Sequence, residues 1–281
     1  MADAANFKLK TVNQTPQAKD DHVATLENML ASFLIDDLMG NDNGGNGKSF
    51  YGIDQADPRV PSTTATTALG ATITVVDGVV QYDSAGSSAL QALGNGETAV
   101  DTFTYTIRMG NGVLSTATVS ITVTGTNDAP VIVDAETNAS GYLTEIADGA
   151  SGENATTHVS AGSIAFADLD TTDVHSATVT AQGGGYLGTL TLGAVDQGAN
   201  NVGWTFEVAD GAIDFLAAGE TRVQYYDVEI SDGEGGTAVQ TIAVTLTGTN
   251  DAPVVTAAID SGAVIEDGTA SAGGTIAFAD V

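Results

Sequence analysis

Carboxylates and carboxamides grouped around a repeated string are the residues whose types and spacing could do chemistry here. Asn127-Asp128 is followed by Glu145 and Asp148 and then by the pair Asp168-x-Asp170. The same order returns as Asn250-Asp251, Glu266-Asp267 and Asp280, and the start of the chain adds Asp20, Asp21 and Glu27. All of these offer oxygen and nothing softer, which suits calcium, a hard cation that takes six to eight oxygen ligands. The same acids would serve equally as solvated turn residues, since Asn and Asp favour turns with no ion present. On the residues alone both readings stay open.

Other chemistries find less footing. His22, His158 and His175 are scattered, with no His-x-x-x-His spacing, and read as surface or edge residues and not as a zinc site. There is no cysteine, so there is neither a thiolate site nor a disulfide. No Gly-x-Ser-x-Gly nucleophile turn occurs, and Gly183-Gly184-Gly185 lacks the following lysine and helix of a phosphate loop. With 36 acids in the chain, carboxylate pairs of the glycosidase kind arise by chance. Trp204 alternates with Phe206, which places it in a core and not on a sugar-stacking platform. The expectation is a non-enzyme.

The elements that would position the acids belong to a tandem array. Gly125-Thr126-Asn127-Asp128-Ala129-Pro130-Val131 recurs unchanged from Gly248 to Val254, an offset of 123 residues, about one small β-domain. Gly96-Glu97-Thr98 and Gly219-Glu220-Thr221 keep the same offset. Gly162-Ser163-Ile164-Ala165-Phe166-Ala167-Asp168 has its counterpart from Gly274 to Asp280, so a third unit begins after the second joint. The boundaries that follow are a tail at 1–12, one sandwich at 13–126, a second at 127–249, and the loosely held start of a third at 250–281. Pro130 and Pro253 each suit the edge of an opening strand, where a missing N–H costs little.

Period-two alternation marks the strands. Phe103, Tyr105 and Ile107 form one inward face, and Val119, Ile121 and Val123 the next. Tyr226, Val228 and Ile230, then Ile242, Val244 and Leu246, repeat them in the second unit. Leu187, Leu190 and Leu192 line a further strand around a Gly188 bend. Asp77-Gly78, Asn111-Gly112 and Asp232-Gly233 are hairpin turns between such runs. Leu26, Leu30, Phe33, Leu34 and Leu38 have helical spacing, in competition with a strand over Met29 to Leu34.

The formal charge of −29 argues against nucleic acid and anionic membrane surfaces as partners, because phosphate binding needs Lys and Arg. It also sets up self-repulsion that salt or bound cations must relieve, and adaptation to high salt would explain the acidity too. No apolar run approaches the roughly 18 residues of a membrane span, so no membrane insertion is expected. Met1 to Lys10 has no apolar signal-peptide core.

With these residues laid out, the chain resembles the VCBS and cadherin-like repeats of very large bacterial surface adhesins and RTX-type secreted proteins. In the second unit the resemblance rests on Ser163 to Asp170, Tyr186-Leu187-Gly188-Thr189-Leu190, Gly203-Trp204-Thr205-Phe206, Asp214 to Thr221 and the Thr-Asn-Asp-Ala-Pro joint. In the first it rests on Pro16 to Asp21, Glu27-Asn28, Leu38-Met39-Gly40-Asn41-Asp42 and Asp77 to Tyr82, marks that put Met29 to Leu34 on a strand followed by one helical turn. The resemblance implies an all-β chain of tandem Ig-like (cadherin-like) antiparallel β-sandwiches, with calcium stiffening the joints. It implies an adhesive role at the bacterial surface after type I secretion, directed by a signal outside this chain. The partners implied are neighbouring repeats of the same chain and cell-surface or matrix glycans or proteins. Two departures stand out: Gly44-Gly45-Asn46-Gly47 is a single polar turn and no glycine-rich nonapeptide array, and Met109 stands where the second unit has Asp232. The alternative is a carbohydrate- or protein-binding accessory module of a secreted enzyme or toxin, which would want Tyr51, Tyr142 or Tyr186 clustered on an open face.

Overall fold

The computed structural model describes residues 17–44, 47–54, 60–259, 262–268 and 271–280. The 1–12 tail, Pro16, and Gly45-Asn46 of the polar turn lie outside them. Two compact units result: one runs to Asp128 and includes Leu169–Asp173, and the other takes Ala129–Asp168 and continues from Val174.

In unit 1 the strands are β1 (Asp21–Leu26), β2 (Ala31–Leu34), β3 (Lys48–Ile53), β4 (Thr64–Thr66), β5 (Thr72–Val76), β6 (Val79–Asp83), β7 (Thr98–Met109) and β8 (Leu114–Thr124), with a single helical turn α1 (Ile35–Leu38). They form two four-stranded sheets, β1-β8-β7-β3 and β2-β6-β5-β4. The helical spacing from Leu26 to Leu38 thus resolves into a strand and one turn. Phe33 enters the core beside buried Ile35 and Leu38, while Met29 and Leu30 stay exposed. Between β5 and β6, Asp77 and Gly78 both take positive φ (51° and 80°), as a two-residue hairpin closing Val76↔Val79 requires.

In unit 2 the strands are β9 (Val131–Ile132), β10 (Ser140–Thr144), β11 (Thr157–Ala167), β12 (Ser176–Ala181), β13 (Thr189–Asp196), β14 (Asn201–Ala209), β15 (Thr221–Ser231) and β16 (Thr237–Thr247). The sheets are β10-β16-β15-β12 and β13-β14-β11-β9. Trp204, Phe206, Tyr226, Val228, Ile242 and Val244 fill the space between them, and the Trp204 indole donates to the Asn138 carbonyl at 2.7 Å. Two further strands, β17 (Val254–Ala258) and β18 (Ile276–Ala279), pair with each other. Their Val255↔Phe278 and Val254↔Ala279 register copies the Ile132↔Phe166 and Val131↔Ala167 register of β9 and β11. Val254, Val255, Ile276 and Phe278 are exposed, and among the described residues no further sheet covers this pair as the opposing sheet covers β11.

Both units are therefore Ig-like β-sandwiches, and one topological detail governs the candidate sites. All sheet pairings in unit 1 are antiparallel except β1 with β8, which run parallel from Asp21↔Val119 to Leu26↔Thr124. Unit 2 repeats this with β10 and β16, from Ser140↔Ala243 to Thr144↔Thr247. Each unit's first long strand thus ends beside the end of its last strand, where the repeated Gly-Thr-Asn-Asp string begins. The glycine of that string is a packing requirement. A Cβ on Gly125 would sit 2.3 Å from the Leu93 and Gly94 carbonyl oxygens, and one on Gly248 2.2 Å from that of Leu216.

Candidate metal centres

In unit 1 the parallel β1–β8 pair delivers Glu27, the residue after β1, to the string after β8. Glu27 is 1% exposed. Its Oε1 accepts the Thr126 backbone N–H at 2.6 Å and lies 3.1 Å from the Thr126 hydroxyl. Asp128 and Asp170 complete a group whose ligand oxygens all lie within 4.8 Å of one another. Asp170 is held by the Asp128 N–H, which donates to Oδ2 at 2.8 Å, and Asn28 reaches Thr126 Oγ1 at 2.9 Å. Glu27 Oε2 is buried with no hydrogen-bond partner. Desolvation first, then the charges of Asp128 and Asp170, push the Glu27 carboxyl above its ordinary range against the pull of the Thr126 bonds.

Unit 2 builds the same arrangement from its own residues. Glu145 follows β10, is buried, and accepts the Thr249 N–H on Oε2 at 2.7 Å. With Asp214 and Asp251 it forms a second group of oxygens within 4.8 Å. Glu145 Oε1 is again a buried oxygen without a partner. Burial, followed by the charges of Asp251, Asp214 and Asp210, raises its pKa. Asp251 is raised too, by desolvation and then by Asp214, Asp148 and Asp280. Asp148 caps the string by accepting the Ala252 N–H at 2.9 Å.

This corrects the expected grouping. Glu145 and Asp148 were assigned to the joint at Asn127-Asp128, but they close on Asp251 and Ala252. The reason is the parallel β10–β16 pairing, which carries the end of β10 to the C-terminal end of its own unit. Of the other candidates, Asn127 is half-buried beside Asp128, and Asn250 is exposed and bonds the Asp251 carbonyl. Glu266 and Asp267 lie exposed on a turn and enter no three-carboxylate group among the described residues. Asp280 is exposed and contributes charge at Asp251.

The structure also places residues that sequence reasoning missed. Asp214 was quoted only as part of a family string; the 123-residue offset aligns it with Gln91, whose amide donates to the Glu27 carbonyl at 3.3 Å. That alignment was the available signal. His175 is buried and His158 half-buried, each against a carboxylate and not free on the surface. His158 lies 2.7 Å from fully buried Asp210, and His175 packs on Phe166 and lies 2.9 Å from Asp168. Asp210 also accepts the N–H groups of Ile146 and Asn154 at 2.8 and 2.7 Å. Burial raises its pKa, but those bonds and His158 outweigh it and hold the carboxyl below the usual range. Asp210 thereby fixes both ends of the loop that leaves Glu145.

What these groups can do follows from their composition. Each is oxygen-only, partly desolvated and short of positive charge; the ion pairs among the described residues are His158–Asp210 and His175–Asp168. A divalent cation would satisfy the free oxygen of Glu27 or Glu145 and cancel the repulsion between neighbouring carboxylates. The donor set fits calcium and gives no nucleophile–base pair.

Residues 13–122 match the family described as bacterial Ig domain. No curated protein matches the chain by sequence. Among solved structures, human CDH23 repeats EC21-23 are similar to it at 16% identity and TM-score 0.40, over 84% of this chain and 70% of that one. The human mucin-like protocadherin EC1-2 structure is similar at 13% identity and TM-score 0.40, over 85% and 100%. PcdhgB3 EC1-4 is similar at 14% identity and TM-score 0.42, over 83% of this chain and 49%, about half, of that one. These are likenesses of fold. Among the described residues no helix is long and apolar enough to cross a membrane.

Proposed function

We propose that the chain is a non-catalytic structural and adhesive segment of an extracellular bacterial adhesin, and that calcium loads the carboxylate groups at Glu27–Asp128–Asp170 and Glu145–Asp214–Asp251. The observation that carries this reading is the matched pair of buried, unpartnered oxygens, Glu27 Oε2 and Glu145 Oε1, each among like charges at the same place in its unit. A fold that needed only hydrogen-bond acceptors for Thr126 and Thr249 would not place two further acids against each glutamate. Extracellular calcium modules bind with Kd of about 10⁻⁴ to 10⁻³ M, so such sites fill after export and stay empty in the cytosol. Binding energy then adds to folding energy. The parent is an RTX-type, VCBS-containing protein, secreted by a type I system.

Calorimetric titration of the full chain with calcium tests the reading. Heat from sites in that affinity range, lost in part with Asp128→Asn and in part with Asp251→Asn, is the expected result. Absence of saturable heat at millimolar calcium would overturn the cation role and leave a plain array of sandwiches.

A second reading, a glycan-binding accessory module, draws on one surface. Tyr142 is 74% exposed on β10, opposite Thr245, which pairs with Val223 two residues from exposed Tyr225. Of the other candidates, Tyr186 packs edge-on against Tyr226 and its hydroxyl accepts the Tyr225 N–H at 3.2 Å, while Tyr51 lies under Arg108 in unit 1. Glycan-array binding that Tyr142→Ala abolishes would favour this reading.

A further inference from the structure

Unit 1 contains a second polar centre, built from residues other than the Glu27 group. Asp42 is 7% exposed. Its Oδ1 accepts the Lys19 N–H at 2.7 Å and the Tyr105 hydroxyl at 2.9 Å, while its Oδ2 is buried and has no partner. Asp21 has the same defect: Oδ1 accepts from Asn41 Nδ2 at 2.9 Å, and Oδ2 is buried without a partner. Of the two carboxylates Asp42 alone takes the Tyr105 hydroxyl at hydrogen-bond distance, with Asp21 close enough for its charge to act there, and the hydroxyl also lies 3.2 Å from the carbonyl oxygens of Lys19 and Leu38. A single O–H therefore faces two carboxylates and two carbonyls. Nearby Lys48 directs its ammonium to the carbonyls of Met39 and Asp42 and forms no ion pair with either carboxylate.

The sandwich does not require this centre. The 123-residue offset aligns Tyr105↔Ala117 with Val228↔Gln240, so fully buried Val228 stands in unit 2 where Tyr105 stands in unit 1. By the parallel register, Ala139 stands where Asp21 does. Unit 2 thus closes the same position with apolar residues, and unit 1 keeps there a buried Asp42 and a half-buried Asp21 that repel each other. Burying unpaired carboxylate oxygens is costly unless something neutralises them. A cleft of about 370 Å³, lined by Asp21, His22, Asp37 and Leu38, gives access to Asp21 from solvent.

We propose that Asp21 and Asp42, closed by the oxygens around the Tyr105 hydroxyl, form a further calcium site in unit 1. It shares no residue with the Glu27 group, and either site stands without the other. Oxygen-only ligands favour calcium over zinc, and room for several protein oxygens favours it over magnesium. Once the ion is in place, the two free oxygens become ligands and the Tyr105 hydroxyl keeps its bond to Asp42.

Terbium, a calcium mimic whose emission is sensitised by a nearby tyrosine, reads this site directly because Tyr105 touches it. The assay uses the full chain carrying Glu27→Gln and Glu145→Gln, so that the other groups are weakened. Tyrosine-excited terbium emission that calcium displaces is expected. Tyr105→Phe should remove most of that emission while leaving calcium affinity within about threefold, because the ring stays and only a hydroxyl is lost. Asp21→Asn should weaken terbium and calcium by about tenfold or more, since affinity follows ligand charge count. Asp42→Asn should do the same; should it fail to fold, the half-buried Asp21→Asn carries the test. Emission unchanged by both Tyr105→Phe and Asp21→Asn would overturn the proposal. So would calcium affinity that Asp21→Asn leaves intact, which would make the two acids a proton-sharing pair.

Discussion

Replacing Glu27 by Gln separates an ion ligand from a simple hydrogen-bond acceptor. Glutamine keeps the shape and one acceptor oxygen for Thr126, but removes one of three charges whose oxygens lie within 4.8 Å. Two unit charges at that distance repel by about 3 kcal/mol at an effective dielectric near 20. Solvent at half-buried Asp128 screens this to about 1 kcal/mol per neighbour. Without calcium, Glu27→Gln should therefore stabilise unit 1 by about 1–2 kcal/mol, a rise of roughly 4–8 °C in melting temperature per kcal/mol for a domain this size. With calcium at about a hundred times its Kd, the wild-type chain gains about 2.7 kcal/mol that the variant largely forgoes. The two melting curves should exchange order between chelator and calcium, read by calorimetry on the same preparations. A variant that melts lower by the same margin in both buffers would refute the reasoning and make Glu27 an ordinary acceptor for Thr126.

Further outcomes follow from the same structure. Because the folded-state pKa values of Glu27 and Glu145 are raised, their contribution to calcium-free stability should be full below the ordinary glutamate value and be lost as pH rises through the raised values; pH-dependent melts in chelator, flattened in that limb by Glu27→Gln and Glu145→Gln, check this. Asp210 has the opposite sign: its lowered pKa gives stability that is present above the ordinary aspartate value and lost as pH falls through the folded value, and Asp210→Asn should remove that acid limb. Asp101, fully buried under Tyr82, Thr67 and the N–H groups of Leu69 and Thr102, should cost about 3 kcal/mol or more as Asp101→Ala, measured by denaturant unfolding of unit 1. Gly125→Ala and Gly248→Ala should each destabilise their own unit by about 2 kcal/mol or more, seen as two separately shifted transitions, because the new methyl meets backbone carbonyls.

The strand faces were legible because period-two alternation is a local property. Phe103, Tyr105 and Ile107 on β7, and Val119, Ile121 and Val123 on β8, are buried where the pattern put them. The hairpins were legible for the same reason, since Asp77-Gly78 states its turn chemistry in two residues. Membership of the carboxylate groups was not. Whether Glu145 meets Asp128 or Asp251 depends on a parallel pairing between β10 and β16, strands about a hundred residues apart, and no local pattern encodes that partner. Glu27 was read as one oxygen-bearing acid at the start of the chain and as part of the Glu27-Asn28 mark, with no partner assigned, and it proves to be the counterpart of Glu145 in fold position once the two registers are laid side by side. Asp214 sits in an irregular turn with no periodicity to mark it. His22 is exposed on edge strand β1 as read, but His158 and His175 were misplaced because spacing rules for metal ligands say nothing about a lone imidazole covering a buried aspartate such as Asp210 or Asp168. Resemblance settled the Leu26–Leu38 ambiguity, against the helical spacing that periodicity showed there.

The parallel pairing of β1 with β8, and of β10 with β16, has a mechanical consequence. Tension applied at the two chain ends of a unit draws the start of β1 one way and the end of β8 the other, along the strand axes. All the backbone bonds from Asp21↔Val119 to Leu26↔Thr124 then bear load together and must fail together, where a hairpin pulled open would surrender them singly. Resistance to such pulling is set by the rate of forced opening and not by equilibrium stability. Each sandwich is thus wired as a shear clamp.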